Sequence, residues 1–443
     1  MSIIYQNNQN TVVTYTYPYN SPECIRIKLK VNGQPVFIYS TSVAYFACIS
    51  FEGNIQVEVE SDHTMKNVTI RPLSKKVQPE VDSNKLNFAL SQPCNLSIEI
   101  DGELPLFFFA NPIETKIPDR NDPNVLFFEE GKVYEVNELR LQENQTLYIE
   151  GGAVLKGWLR ASEVNNVKVC GRGIFDGSLS TKEHKRLFVF EHCQNVSVAD
   201  IILIEPAAWM LVLGSSRDIL VTNLKEIGEV CCSDGIDIAG SSNVTIRGCF
   251  IRNNDDCIAI KALSYVGRIP ENKYPWDNDV DNVLVEDCVF FNGPCGNALE
   301  IGYELRTENI GNITFRNCDV LCVHGTGAVF SIHNGDRATV HDVLYENIRI
   351  EHYYDKLIDF RIIESIYNRD PERGHVKNIQ FKNIHAIATA HNPGHTISLI
   401  GGYDEKHIFD GVTIEDFYIN EQKIMNADQL DLYIKNAQNV VFK

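Results

Sequence analysis

Three aspartates, Asp234, Asp255 and Asp256, fall in the stretch CCSDGIDIAGSSNVTIRGCFIRNNDDCIAIKA, which starts at Cys231. Each stands just ahead of an alternating apolar run. Carboxylates forced together repel one another, so at least one pKa rises while another group stays ionised. Acid–base chemistry uses that division: a protonated carboxyl for a leaving group and a carboxylate to activate water. Hydrolysis of a glycosidic bond with inversion asks for such a set, with acid and base roughly 6.5–9.5 Å apart to admit the water. The competing reading is turn chemistry, because Asp and Asn are common at turns. Three carboxylates in register on consecutive coils exceed what turns require.

The strands that would position them can be read from their alternation. Ile236 and Ile238 point inward, which puts Asp237 outside; Ile258 and Ile260 do the same and put Lys261 outside. Laying Ile236-Asp-Ile on Ile258-Ala-Ile stacks Asp234 on Asp256 and leaves Asp255 without a twin. Stacked strands lie about 4.8 Å apart, so the three carboxyls crowd one patch, with Asp237 and Lys261 as neighbours able to bind substrate.

The same phrase recurs along the chain. Asn166-Val-Lys-Val, Asn195-Val-Ser-Val, Asn243-Val-Thr-Ile, Asn282-Val-Leu-Val, Asn312-Ile-Thr-Phe and Asn378-Ile-Gln-Phe open similar runs, and Asn439-Val-Val-Phe closes the series. Weaker copies begin at Asp218, Asp342 and Gly411. The spacing is mostly about 25 to 40 residues, within the range of solenoid repeats. With strand-period alternation and no long helical period, the expected fold is all-β: a right-handed parallel β-helix over residues 124–443. One slot of the phrase holds Cys249, Cys288 and Cys318 in some coils and Ile201, Ile348 and Ile384 in others. Those thiols are expected to be core filling. Residues 1–115 lack the phrase and show separate alternating segments, such as Ile25–Leu29, Ile55–Val59 and Leu96–Ile100. They predict a small antiparallel N-terminal β-sandwich, joined through the Pro-rich stretch 112–123.

Composition limits the partners. The 443 residues are 44% hydrophobic and 22% charged, and 40 basic against 59 acidic residues give a net charge of −19. That argues against nucleic acid or an anionic membrane surface, and mildly against a polyanionic substrate. The opening MSIIYQNNQN has no basic or apolar leader pattern, no apolar run approaches a membrane span, and the 13 cysteines form no CxxC pair. A reduced, cytoplasmic setting is the simplest expectation, although a trimmed leader would leave the same start. No cofactor is called for, and no second His stands at metal-ligand spacing from His333.

Outward positions on later coils extend the patch. Glu300 lies between inward Leu299 and Ile301 and should stack near Ala259, with Glu304 just past that strand. Inward Phe330 and Ile332 leave Ser331 and His333 outside, and Asp359 and Arg361 flank inward Phe360. Glu300, His333 and Arg337 are candidate sugar-hydroxyl ligands, and His333 could instead assist the acid. In the insertion Tyr265–Asp279, Tyr274 and Trp276 could offer a flat face to a sugar ring or simply pin the loop. Trp209 is either groove wall or core.

Ser233-Asp-Gly-Ile-Asp followed by Asp255-Asp-Cys-Ile-Ala-Ile-Lys261 resembles the signature of polygalacturonase-type glycoside hydrolases and the related dextranases and isopullulanases. The resemblance extends from Gly151-Gly-Ala-Val and Gly171-Arg-Gly-Ile-Phe-Asp-Gly to the later coils. It implies a right-handed parallel β-helix and an inverting hydrolase of poly- or oligosaccharides; the dextranase branch also carries an N-terminal β-sandwich. By motif, Asp255 resembles the general acid, and Asp234 and Asp256 the residues that activate water. Polygalacturonases have Gly-His-Gly where this chain has Gly296-Asn297-Ala298, which makes Asn297 a candidate binding residue. They carry Arg-Ile-Lys, which holds the substrate carboxylate, at a position that counting back from Tyr345 assigns to Val329-Phe-Ser. The departure implies a neutral or differently recognised glycan. A hydrolase of galacturonides and a non-catalytic carbohydrate-binding β-helix are the alternatives.

Overall fold

A computed structural model describes residues 2–7, 10–180, 185–263, 275–392 and 395–443. From Val125 to Phe442 the coils lay their strands parallel on the preceding coil, with one short antiparallel strand at Gln422–Lys423, and the described residues contain no α-helix. The coil winds right-handed, the hand taken by parallel crossover connections. Three long sheets result, each lining one side of the solenoid.

The corner phrase explains the regularity. Asn166, Asn195, Asn243, Asn282, Asn312, Asn378 and Asn439 all take left-handed backbone conformations, with φ between 53° and 57°, as do Asp218 and Asp342. Asn tolerates this region because its short polar side chain bonds locally. Each amide also reaches the coil before it: Asn195 Nδ2 donates to Asn166 Oδ1 at 2.8 Å, and Asn282 Nδ2 to Asn243 Oδ1 at 3.0 Å. Inside, the expected slot is filled as read. Cys249, Cys288 and Cys318 are fully buried in the solenoid core with Ile201, Ile348 and Ile384.

The sheet that matters for function contains Leu211–Gly214, Ile236–Ala239, Ile258–Ala262, Leu299–Leu305, Ala328–Asn334 and Lys356–Ile362, stacked in that order. Ile236 pairs with Ile258, and Ala259 with Glu300, which are the registers the alternation implied.

The N-terminal strands form two facing sheets, one of seven strands and one of five. Most pairs are antiparallel, but Tyr45–Glu52 and Leu106–Pro112 run parallel, a departure from the all-antiparallel expectation. Leu106-Phe-Phe-Phe-Ala sits at the centre of this arrangement because both of its faces are covered. Phe108 fills the sandwich core, while Phe107 and Phe109 point the other way onto the solenoid. There they meet Phe250, with ring centroids 4.8 and 5.4 Å away, in a patch with Ile202, Ile204 and Ile227. Lys225 is buried in the same interface, where it donates to Asn111 Oδ1 at 2.5 Å and burial pushes its ammonium down to about 7. Truncating Phe250 to alanine removes the shared ring of this interface. The variant should lose about 3–5 kcal/mol of stability in urea unfolding, with the sandwich and solenoid no longer melting together.

Candidate active site

The aspartates stand where one coil turns into the sheet just described. Gly235 N donates to Asp256 O at 2.8 Å, which fixes Asp234 beside Asp256 on neighbouring coils. One oxygen from each of Asp234, Asp255 and Asp256 lies within 4.8 Å of the other two. They open into a cleft of about 580 Å³ lined by Trp209, Cys232, the three aspartates, Lys261, Gly302, Tyr303, Glu304 and Tyr367.

The three carboxyls are held differently. Lys261 Nζ lies 2.6 Å from Asp234 Oδ2 and 2.9 Å from Asp237 Oδ1. Burial disfavours the lysine's charge, but the Asp234 and Asp237 carboxylates more than offset that and hold the ammonium well above its usual range. Asp256 Oδ1 accepts hydrogen bonds from the backbone N of Asn297 at 2.7 Å and from its Nδ2 at 2.9 Å. Burial, Glu300 and Asp234 nevertheless push Asp256 up to about 8. Burial, then the Asp234 and Asp256 charges, push Asp255 up to about 9. Asp255 and Asp256 are thus both held toward their protonated forms at neutral pH, while Asp234 makes the ion pair with Lys261. Gly296 packs onto the backbone of this turn: its φ is +68°, and a Cβ there would fall 2.3 Å from the Asp255 carbonyl carbon.

The predicted binding residues separate into distinct roles. Only Lys261 reaches the cleft, and there it is committed to Asp234 and Asp237 while lying 4.0 Å over the Trp209 ring. Asp237 faces outward as read, but it is covered by these neighbours and fully buried. Asn297 spends its amide inside the protein, donating to Asp256 and accepting from Ala328 N at 2.8 Å. Both ends of its side-chain amide are thus committed to protein partners. Glu300 and His333 are also outward yet buried, because Tyr303 stacks on the imidazole at 4.4 Å and 3°. Arg337 is not brought to the cleft; it pairs with Glu308 at 2.9 Å and Asp370 at 2.8 Å. Trp276 is fully buried against Val189, Val212 and Leu263, with Nε1 3.3 Å from Glu191 Oε2, so it pins its segment and offers no face to a sugar. Tyr274 lies outside the described residues.

Beneath Tyr303 is a second charged group. His333 Nδ1 donates to Glu300 at 2.9 Å, and Nε2 lies 3.5 Å from Asp359. Burial opposes its charge, but Glu300 and Asp359 raise it to about 9. Arg361 holds the same Asp359 from the other side, at 2.7 Å. The strand register also corrects the count made on the sequence. Val329 and Phe330 enter the core, and the outward pair flanking Ile332 is Ser331 and His333, opposite Glu300 and Gly302. That coil thus carries a cation, matched by carboxylates. Gly302 is required here, since a Cβ would fall 2.4 Å from His333 O.

Tyr303 and Tyr367, with Cys232 and Gly302, are the cleft residues that sequence reading missed. Tyr303 continues the strand from Glu300 and was legible as such. Tyr367 arrives from a turn whose course no repeat encodes. Among the described residues, three groupings bear on metal binding, one of them, Asp62 with His63 and Glu103, in the sandwich. The aspartate trio is compact enough for a cation, but the Lys261 ammonium already holds Asp234. Cys322, His324 and His352 converge elsewhere, off the cleft.

Comparison with known proteins agrees with this architecture. The family model for glycosyl hydrolases family 28 matches residues 130–430. A probable polygalacturonase of Arabidopsis thaliana is 23% identical over 225 residues, covering 48% of this chain and 43% of that protein. An exopolygalacturonase of Rhizopus delemar is 24% identical over 165 residues, covering 36% and 38%. The chain thus spans less than half the length of these curated relatives. Among solved structures, Dex49A from Penicillium minioluteum matches all of both chains with a TM-score of 0.71 at 13% identity, a likeness of fold that includes the sandwich. An exopolygalacturonase from Thermotoga maritima matches 72% of this chain and 83% of its own, with a TM-score of 0.53 at 16% identity. With the family model covering most of the solenoid and all three aspartates, the chain belongs to glycosyl hydrolases family 28.

Proposed function

We propose that this protein is an inverting glycoside hydrolase of a neutral oligo- or polysaccharide, with Asp255 as general acid and Asp234 and Asp256 holding the attacking water. The observation that carries this reading is the unequal pairing of three carboxyls sharing one cleft: Asp234 meets Lys261, Asp256 accepts two N–H groups of Asn297, and Asp255 accepts one backbone N–H. Asp255, held up to about 9, keeps a proton to give to the leaving glycosidic oxygen. Asp234, paired with the Lys261 ammonium at 2.6 Å, takes the proton of the water. Asp256 is fixed by Asn297 and completes the water's cradle. Because the groups interact, their titrations belong to the trio rather than to single residues.

The charges around the cleft support a neutral sugar. Lys261 is answered by Asp234 and Asp237, and His333 and Arg361 are answered by Glu300 and Asp359. A substrate carboxylate would have to displace one of these partners in a protein of net charge −19. Tyr367, 46% exposed, is more exposed than Trp209 and Tyr303, the other aromatic residues lining the cleft, and offers a face to a sugar ring. A galacturonide substrate is the second reading. It is favoured by the polygalacturonase relatives and by Arg361, should Asp359 yield to a uronate.

A panel of neutral glycans and polygalacturonate, assayed for new reducing ends, separates these readings, and release from polygalacturonate alone would overturn the neutral one. Asp255→Asn should lower the rate about 10²- to 10⁴-fold without unfolding the protein; undiminished release would refute the assigned acid. One oxygen of each carboxyl lies within 4.8 Å of the other two, whereas acid and base groups in inverting enzymes usually stand ~6.5–9.5 Å apart. The anomeric form of the first product, read by proton NMR, is therefore decisive, and a retained anomer would refute inversion.

The same acid sets a pH dependence of stability. Its folded pKa of about 9 lies above the ordinary 3.8, so its contribution is full at acid pH and is lost as pH rises through the folded value. Asp255→Asn removes that slope. Its melting temperature should exceed the parent's by a margin that grows from pH 5 to pH 9, as measured by calorimetry. Tyr367→Ala should raise KM about tenfold, equivalent to ~1.4 kcal/mol of aromatic contact, with kcat nearly unchanged.

A further inference from the structure

Thirteen cysteines are free in this structure, and two of them meet at the edge of the catalytic turn. Cys231 Sγ lies 2.9 Å from Cys295 Sγ, although the two are far apart in sequence and sit on coils that are not adjacent. Cys231 precedes Asp234 on one coil, and Cys295 precedes Asn297, the partner of Asp256, two coils on. The coil between them carries Asp255. Asn292 Nδ2 ties the turn together by donating to both Asp255 O at 2.6 Å and Cys295 O at 2.9 Å. Gly296 closes against Asp255 directly.

We infer that Cys231 and Cys295 form a disulfide that straps the coil bearing Asp255. A disulfide needs its sulfurs about 2.05 Å apart, so closure from the present contact is a small movement that leaves the aspartate trio in place. The oxidant is a small-molecule disulfide such as oxidised glutathione. The Cys231 thiolate attacks one glutathione sulfur and expels one reduced glutathione. The Cys295 thiolate then attacks the Cys231 sulfur and expels the second, and the protons of the two protein thiols end on the two glutathiones. Cys231, the more exposed, is the entry point. The contact with Cys231, then burial, push Cys295 up to about 11, so its attack comes second, where the nearness of the Cys231 sulfur offsets its small thiolate fraction. The strap joins distant parts of the chain, so it restricts the unfolded state and stabilises the fold around the site.

The test uses the full chain and does not depend on any glycosidase assay. The protein is incubated at pH 8 with oxidised glutathione, its thiols are counted after denaturation, and its peptides are mapped without reduction. The expected result is the loss of two of the 13 thiols, a linked peptide joining Cys231 to Cys295, and a melting temperature raised by several degrees and restored by dithiothreitol. Cys231→Ser and Cys295→Ser should each abolish both the link and the shift while leaving the melting temperature of the reduced protein nearly unchanged. A stable glutathione adduct, a link through Cys232 instead, or no loss of thiols would each overturn the assignment. A map with the link present but no change in melting temperature would overturn the stabilising role.

Discussion

The structure depends on one constraint: each coil must lie on the last in a fixed register. The backbone hydrogen bonds of stacked parallel strands set a spacing of about 4.8 Å, and the left-handed Asn corners with their amide ladder keep that spacing from slipping. A side chain at a given outward position is therefore held against its counterpart on the next coil whether or not the two are compatible. Apolar counterparts build the core. Like charges become a local cost that the rest of the fold must balance.

The cleft is where that cost is concentrated. Asp234, Asp255 and Asp256 are pressed together by the stacking of two coils and the turn between them, with burial raising the price of each charge. Lys261 and Asn297 make the arrangement tolerable. One offers an ammonium to Asp234 and the other two N–H donors to Asp256. Asp255 accepts a single backbone N–H, from Asp256 at 3.0 Å, and is pushed higher than Asp256. The site's chemistry thus follows from an uneven distribution of compensation among three equal groups.

A few coils further on, the same constraint is solved differently. Glu300 and Asp359 flank Ser331 in one outward column while His333 lies on Arg361 in the next, so the charges are matched across columns, by Glu300 and Asp359 against His333 and Arg361, under Tyr303. The seven-stranded sheet of the sandwich covers a separate side of the solenoid through Phe107, Phe109 and Phe250. That leaves the cleft on a different sheet.

The aspartate stacking, the inward cysteines and the outward placement of Asp237, Lys261, Glu300 and His333 were all legible in the sequence. They depend on strand alternation and repeat register, which are local and periodic. The roles of the outward residues were not legible. Whether an outward side chain meets solvent is decided by what lies over it, and here Tyr303 covers His333 and Trp209 lies against Lys261. Trp276 is buried by packing against strands well before it in sequence, and Arg337 is drawn off by Asp370. Tyr367 enters the cleft, and Cys231 meets Cys295, through turns between coils that obey no period. The sequence by itself determined the coil, its register and therefore the crowding of the three carboxyls, because short-range alternation fixes which side chains stack. Only the tertiary structure decided which of those groups keeps its proton and which neighbours reach the cleft, because burial and charge compensation arise from contacts between residues far apart in the chain.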